Sequence, residues 1–214
     1  MKRSIFSKLL LLTTALTAAV AVCSSQADTP ALSFTGGGPY QGNGDGNVGW
    51  SFTLNTAMNV SSLGFYDYGS DGLQTAHAVG IFSSTGTLLT SATVPLGTNA
   101  ALTNGFRYVS IPVYTLSPGT YIVDAAVTAN NSDYFMGGAT TVTTVPGITY
   151  LETRVGGGTG LVLPPSNSSA PANGFFGPNF QVSPAPEPST WALMGLGAGM
   201  LVLCVVRRRN VPTC

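Results

Sequence analysis

Residues 28–182 predict an all-β fold, an antiparallel β-sandwich of jelly-roll type. Three features predict it. Large apolar residues alternate with small or polar ones at a period of two, clusters of Gly, Pro, Asn and Asp interrupt these stretches at regular intervals, and no stretch carries a helical apolar stripe. Short strands at such spacing fit two packed sheets, because each strand offers one face to a shared core.

The first strand is expected over residues 31–35, with Gly36-Gly37-Gly38 as a flexible turn behind it. The cluster Gly42-Asn43-Gly44-Asp45-Gly46-Asn47 leads into 48–54, where Trp50-Ser51-Phe52-Thr53-Leu54 alternates without a break. A strand over 58–66 ends at the turn Gly69-Ser70-Asp71-Gly72. The stretch 76–83 contains Val79-Gly80-Ile81-Phe82, and Ser84-Thr85-Gly86 turns the chain into 87–94 as a hairpin. Phe106-Arg107-Tyr108-Val109-Ser110-Ile111 marks 105–112, and Ser117-Pro118-Gly119 separates it from 119–128. Strands over 133–137, 148–155 and 174–182 complete the series. Thr, Val, Tyr and Phe supply strand-forming side chains throughout. Residues 139–144 fit an exposed strand or a loop, Gly156-Gly157-Gly158 reads as a second flexible turn, and 163–172 reads as a long loop or the start of a linker. The segment 174–182 is too aromatic to stay solvated, which favours a last strand that returns to the sheet.

Both ends outside this domain read as targeting segments. Lys2, Arg3 and Lys8 form a basic n-region, Leu9 to Val22 an apolar h-region, and Ser25-Gln26-Ala27 places small residues at the −3 and −1 positions of a cleavage site. Residues 1–27 are therefore expected to be a Sec signal peptide cleaved after Ala27. Cys23 raises a lipoprotein alternative, but Val22 stands where that signal wants a small residue.

At the other end, residues 183–190 form a Pro-rich spacer containing Pro186, Glu187 and Pro188, and 191–206 is an apolar run without a charge. Sixteen helical residues span roughly 24 Å, just short of a typical bilayer core, so a membrane helix here uses a thin region or flanking residues. Trp191 marks one headgroup boundary and Arg207, Arg208 and Arg209 the other, with 207–214 as a cytoplasmic tail by the positive-inside rule.

The order Pro-Glu-Pro, short apolar span, basic end resembles the PEP-CTERM sorting signal of Gram-negative bacteria that make extracellular polysaccharide. The resemblance covers residues 186–209 and implies an exosortase-type processing enzyme as partner. It also implies a transient anchor in the inner membrane before processing, and delivery to the outer surface or extracellular matrix. It implies nothing about biochemical activity. The segment from Gly49 to Val127 also resembles a β-sandwich domain of unassigned function in bacterial surface proteins, through Gly49-Trp50-Ser51-Phe52-Thr53, Gly64-Phe65-Tyr66-Asp67, Asp71-Gly72-Leu73, Val79-Gly80-Ile81-Phe82 and Gly105-Phe106-Arg107-Tyr108-Val109.

The net charge of zero conceals a segregation. Between residues 28 and 186 the bases are Arg107 and Arg154, against Asp28, Asp45, Asp67, Asp71, Asp124, Asp133 and Glu152, a net charge of −5. Such a surface has no footprint for nucleic acid. Cys23, Cys204 and Cys214 all lie in the end segments, so the domain is not stapled by disulfides and depends on burial.

Catalytic patterns are absent. His77 is the single histidine, with no cysteine in the domain, which excludes a multi-histidine or Cys/His metal cluster. No nucleophile elbow surrounds it, and it reads as a partly exposed structural residue. The glycine runs lack the helix and Lys of a phosphate loop. No pair of acids sits in an aromatic cleft of the kind glycoside hydrolysis uses. The domain is thus expected not to be an enzyme.

The candidate ligand site is the loop Phe65 to Gly72. Asp67 and Asp71, joined by Asp45, carry hard oxygens in Gly-rich turns, which suits a structural Ca²⁺. The same residues equally serve to cap turns. Tyr66 and Tyr68, among the aromatics Tyr40, Trp50, Tyr134 and Phe135, offer faces for sugar rings if exposed, whereas Trp50 and Phe65 belong to the core. The expected function is a structural or adhesive protein of the cell surface or polysaccharide matrix. The alternative is a carbohydrate-binding module for exopolysaccharide, with or without Ca²⁺.

Overall fold

Alternation at a period of two does build strands along the whole domain. The computed structural model describes residues 28–41, 44–128, 133–165 and 174–184, with 195, 197 and 198 besides. The expectations for the signal peptide, the motif, Trp191 and the arginines lie outside the described residues. Among the described residues no helix is long and apolar enough to cross a membrane.

The strands are β1 (Thr29–Pro30), β2 (Leu32–Thr35), β3 (Gly38–Tyr40), β4 (Gly46–Leu54), β5 (Met58–Tyr66), β6 (His77–Ser83), β7 (Leu88–Val94) and β8 (Ala101–Thr103). The series continues with β9 (Phe106–Leu116), β10 (Gly119–Val127), β11 (Phe135–Gly137), β12 (Thr141–Thr144), β13 (Ile148–Gly157), β14 (Phe175–Phe176) and β15 (Pro178–Pro184). They form two five-stranded sheets, in the orders β1-β15-β5-β9-β8 and β13-β4-β10-β6-β7, with small sheets β14-β11-β3 and β12-β2. Every pairing is antiparallel. From β4 to β5 and from β5 to β6 the chain changes sheet, as it does again from β9 to β10.

The inward faces supply the core. Trp50, Phe52, Val79, Ile81, Val123 and Ala125 from one sheet are buried with Val60, Leu63, Phe65, Phe180 and Val182 from the other. Trp50 stacks on Phe180 at 5.7 Å and donates its indole N–H to the Pro178 carbonyl at 2.9 Å. One side chain thereby ties β4 to β15 by both packing and a buried hydrogen bond, the arrangement a buried indole needs.

The outer face of the second sheet is covered over its middle strands rather than solvated. The segment from Gly158 to Pro165 folds over it, with Leu161 against Gly80, Pro165 against Gly156, and the Val162 amide donating to Asn47 Oδ1 at 3.1 Å. Gly80 and Gly156 have no Cβ, which is what lets the covering segment approach so closely. This is why β4 is buried along nearly its whole length instead of every second residue.

Several boundaries differ from the sequence expectation. β3 and β8 are not among the expected strands, and within 139–144 only Thr141–Thr144 forms a strand, β12, which pairs with β2. Gly156 and Gly157 end β13 instead of forming a flexible turn. A bulge between Tyr150 and Glu152 leaves Leu151 exposed on β13. The expected strand 174–182 breaks at Gly177, packed against Phe65 and Val48, and β15 then runs to Pro184. The described sheet therefore extends to Pro184, two residues past the expected end of the last strand.

Candidate functional site

The β5–β6 connection and the segment before β11 meet at one end of the sandwich. Asp67 opens the first of these as a turn. Its carboxylate accepts the Gly72 amide at 3.1 and 3.2 Å, and its carbonyl accepts the Ser70 amide at 3.0 Å. Gly69, Ser70 and Gly72 all have positive φ, so the tightness of the turn depends on glycine at two of three strained positions.

Arg107 locks this turn from below. Its Nε donates to Asp67 Oδ2 at 2.7 Å, Nη2 to the Ser70 carbonyl, and Nη1 to the Thr98 and Ala100 carbonyls, each at 3.2 Å. Arg107 is 6% and Asp67 3% exposed. The pair is thus desolvated, charge-assisted and extended by three further hydrogen bonds, the condition under which a buried ion pair holds a structure in place.

Asp133 organises the other side. Its carboxylate accepts the Gln74 amide at 2.7 Å, the Thr75 amide at 3.0 Å and the Thr75 hydroxyl at 3.2 Å, and lies 2.9 Å from His77 Nε2. Burial opposes its charged form, but hydrogen bonds from His77, Gln74 and Thr75 and the charge of His77 outweigh that. Its carboxyl is held below the usual range. His77 stacks on Phe65 with ring centres 3.7 Å apart, and its Nδ1 lies 3.3 Å from the Ala126 carbonyl. The expected partly exposed histidine is in fact buried, at 1% exposure, because Phe65 covers one ring face and both nitrogens have partners inside the fold.

Between these two anchored segments lies a cleft of about 380 Å³ lined by Tyr68, Asp71, Gly72, Gln74, Asp133 and Tyr134. Tyr68 and Tyr134 flank it, 45% and 40% exposed, with ring centres 5.8 Å apart in an edge-to-face arrangement. Both rings are thus partly exposed, in a cleft that also holds carboxylate and amide groups able to bond hydroxyls.

The structure separates the expected site residues. Tyr68 is in the cleft, but Tyr66 turns inward and packs on Phe34 and Phe106, each at 5.2 Å, where burial raises its pKa. The reason is that β5 ends at Tyr66, so the period-two alternation does not carry through the turn to Tyr68. The calcium set is not assembled either. Asp71 is exposed in the cleft and Asp45 exposed ahead of β4, while Asp67 is spent on Arg107 and Gly72, a guanidinium standing where a cation would be. Among the described residues no group of three or more His, Cys, Asp or Glu converges to hold a metal. These residues do not fit the ion, and the turn-capping alternative describes Asp67.

Residues 184–209 match the PEP-CTERM protein-sorting motif, a stretch that contains Pro186, Glu187, Pro188, Trp191 and the three arginines. No curated protein matches the chain. A solved structure described as a family 35 carbohydrate binding module from an environmental isolate is similar at 18% identity. That similarity covers 59% of this chain and 90% of that one, with a TM-score of 0.34.

Proposed function

We propose that this chain is an exported surface or matrix protein that acts without catalysis, adhering to extracellular polysaccharide through the Tyr68–Tyr134 cleft. The carrying observation is the pair of exposed tyrosines on a cleft of about 380 Å³ whose walls are pinned by buried Asp67–Arg107 and Asp133–His77 pairs. Such pinning keeps the aromatic faces in place before a ligand arrives, which lowers the ordering cost of binding. The sorting motif supports the destination, with an exosortase-type enzyme as processing partner. The alternation of the chain between its two sheets supports the jelly-roll reading of the fold. The buried His77, with both ring nitrogens engaged, supports the non-catalytic reading.

Binding is tested by retention on the exopolysaccharide of the producing cell. Removal of a central aromatic contact typically costs more than about 1 kcal/mol, so Tyr68→Ala and Tyr134→Ala are each expected to weaken retention about tenfold, and Tyr66→Phe not at all. Undiminished retention in both alanine variants would leave the protein a structural component without this site.

Sorting is tested separately. Deleting Pro186 to Pro188 is expected to leave the tail uncleaved, so that the protein stays in the inner-membrane fraction at its unprocessed mass. A deletion variant of normal mature mass overturns the processing assignment.

A further inference from the structure

The chemistry of the cleft goes further than sugar binding in general. Resting on the glycan reading above, we propose that the cleft selects polysaccharide by charge, preferring segments that carry a free amino group, as in deacetylated hexosamine, and rejecting uronate segments.

Every charged group lining the cleft is acidic. Asp71 is exposed at its rim, and Asp133 closes it, its carboxyl held in the ionised form by the hydrogen bonds of Gln74, Thr75 and His77. No base lines the cleft itself; His77, the basic side chain beside Asp133, is buried behind it with Nε2 taken up by that carboxylate at 2.9 Å. Among the described residues the two arginines both lie elsewhere, and neither lines the cleft. Arg107 is buried with its donors given to Asp67, Ser70, Thr98 and Ala100, and Arg154 lies on β13 with its Nε 3.0 Å from Glu152 Oε1. A uronate carboxylate entering here would meet the exposed Asp71 carboxylate with no basic side chain in the lining to receive it, which is the repulsive half of a specificity device.

The tyrosines add the attractive half. Aromatic faces carry negative electrostatic potential and draw an ammonium group, and the edge-to-face pair lines the same cleft as Asp71. An N-acetylated sugar offers the same ring for stacking but no charge. The acetyl group is therefore the feature that the cleft distinguishes.

The test compares the full chain, in mild detergent and mildly acidic buffer, on four immobilised polymers: a deacetylated glucosaminan, its N-acetylated counterpart, a neutral glucan and a polyuronate. A cation–π contact and an exposed ion pair each contribute modestly, so the deacetylated polymer is expected to bind about tenfold tighter than the acetylated one, with no retention on polyuronate. Asp71→Asn is expected to remove most of that preference, bringing the two glucosaminans to within about twofold of one another. Asp28→Asn, the same change of net charge outside the cleft lining, is expected to leave the preference intact. Equal binding of the two glucosaminans, tighter binding of polyuronate, or a preference that survives Asp71→Asn would each overturn charge selection while the glycan reading stands. Failure to bind any of the four polymers, together with the native exopolysaccharide, would overturn both.

Discussion

Replacing Arg107 with methionine is expected to lower folding stability by about 3–5 kcal/mol, the loss that follows when one partner of a buried ion pair is removed. The methionine fills much of the same space, so the cost is electrostatic. Asp67, 3% exposed, would keep only the Gly72 amide, while the Thr98, Ala100 and Ser70 carbonyls would lose their donor. Urea denaturation of the variant gives the magnitude, and a double-mutant cycle with Asp67→Asn tests the cause. Asp67→Asn in the Arg107→Met background should recover part of the loss, because an amide in that turn carries no charge to desolvate. A loss below about 1 kcal/mol would mean that the pair is not the lock of this turn. Because Tyr68 and Asp71 stand on the same turn, binding should fall together with stability in this variant. In Tyr68→Ala it should fall alone.

Asp124 makes a prediction of opposite sign. It lies on β10 between Gly49 and Gly80 of the flanking strands, fully buried on the covered face, and neither carboxyl oxygen has a well-formed hydrogen bond. Burial pushes its carboxyl up to about 9, with the Ala125 amide pulling slightly the other way. The folded protein therefore holds a proton that the unfolded chain releases above its ordinary carboxylate range. Stability from this group is fully present below about pH 4 and falls as pH rises towards 9, by roughly 1.4 kcal/mol per pH unit, or about 3 kcal/mol between pH 5 and pH 7. Asp124→Asn keeps the shape of the protonated acid and removes the titration. It should be more stable than the parent at neutral pH by a similar amount, with little slope of urea midpoint against pH across this range. An Asn variant that is less stable than the parent at neutral pH would show that the ionised carboxylate has a partner in solution.

The origin of these two effects explains which parts of the molecule are legible in the sequence. Alternation is local, so Trp50-Ser51-Phe52-Thr53-Leu54 announces β4, and the Ser84-Thr85-Gly86 turn announces the β6–β7 hairpin that the registers then show. The site is built from contacts between distant residues, Asp67 with Arg107 at a separation of 40 and His77 with Asp133 at 56. Nothing local distinguishes an aspartate that caps a turn from one that also holds an arginine. Tyr134 was visible as an aromatic, but its pairing with Tyr68 depends on two connections meeting at one end of the sheets. Asp124 is illegible in the sequence for another reason. Its phase against Val123 and Ala125 places it on the outward face, and only the segment Gly158 to Pro165 turns that face into an interior.

The run of β15 to Pro184 has a mechanical consequence. β15 is an inner strand of its sheet, hydrogen-bonded to β1 on one side and β5 on the other, and residue 185 continues from its end. When the opposing force is held at the cleft end of the sheet, beside Tyr66, tension applied at Pro184 acts along this strand, so the bonds between β15 and β5 are loaded in shear and must give way together. The Trp50 indole bond to Pro178 and its stacking on Phe180 add a brace from the opposite sheet to the same strand. Pulled in this geometry, the domain should resist as a clasp resists, up to one abrupt release.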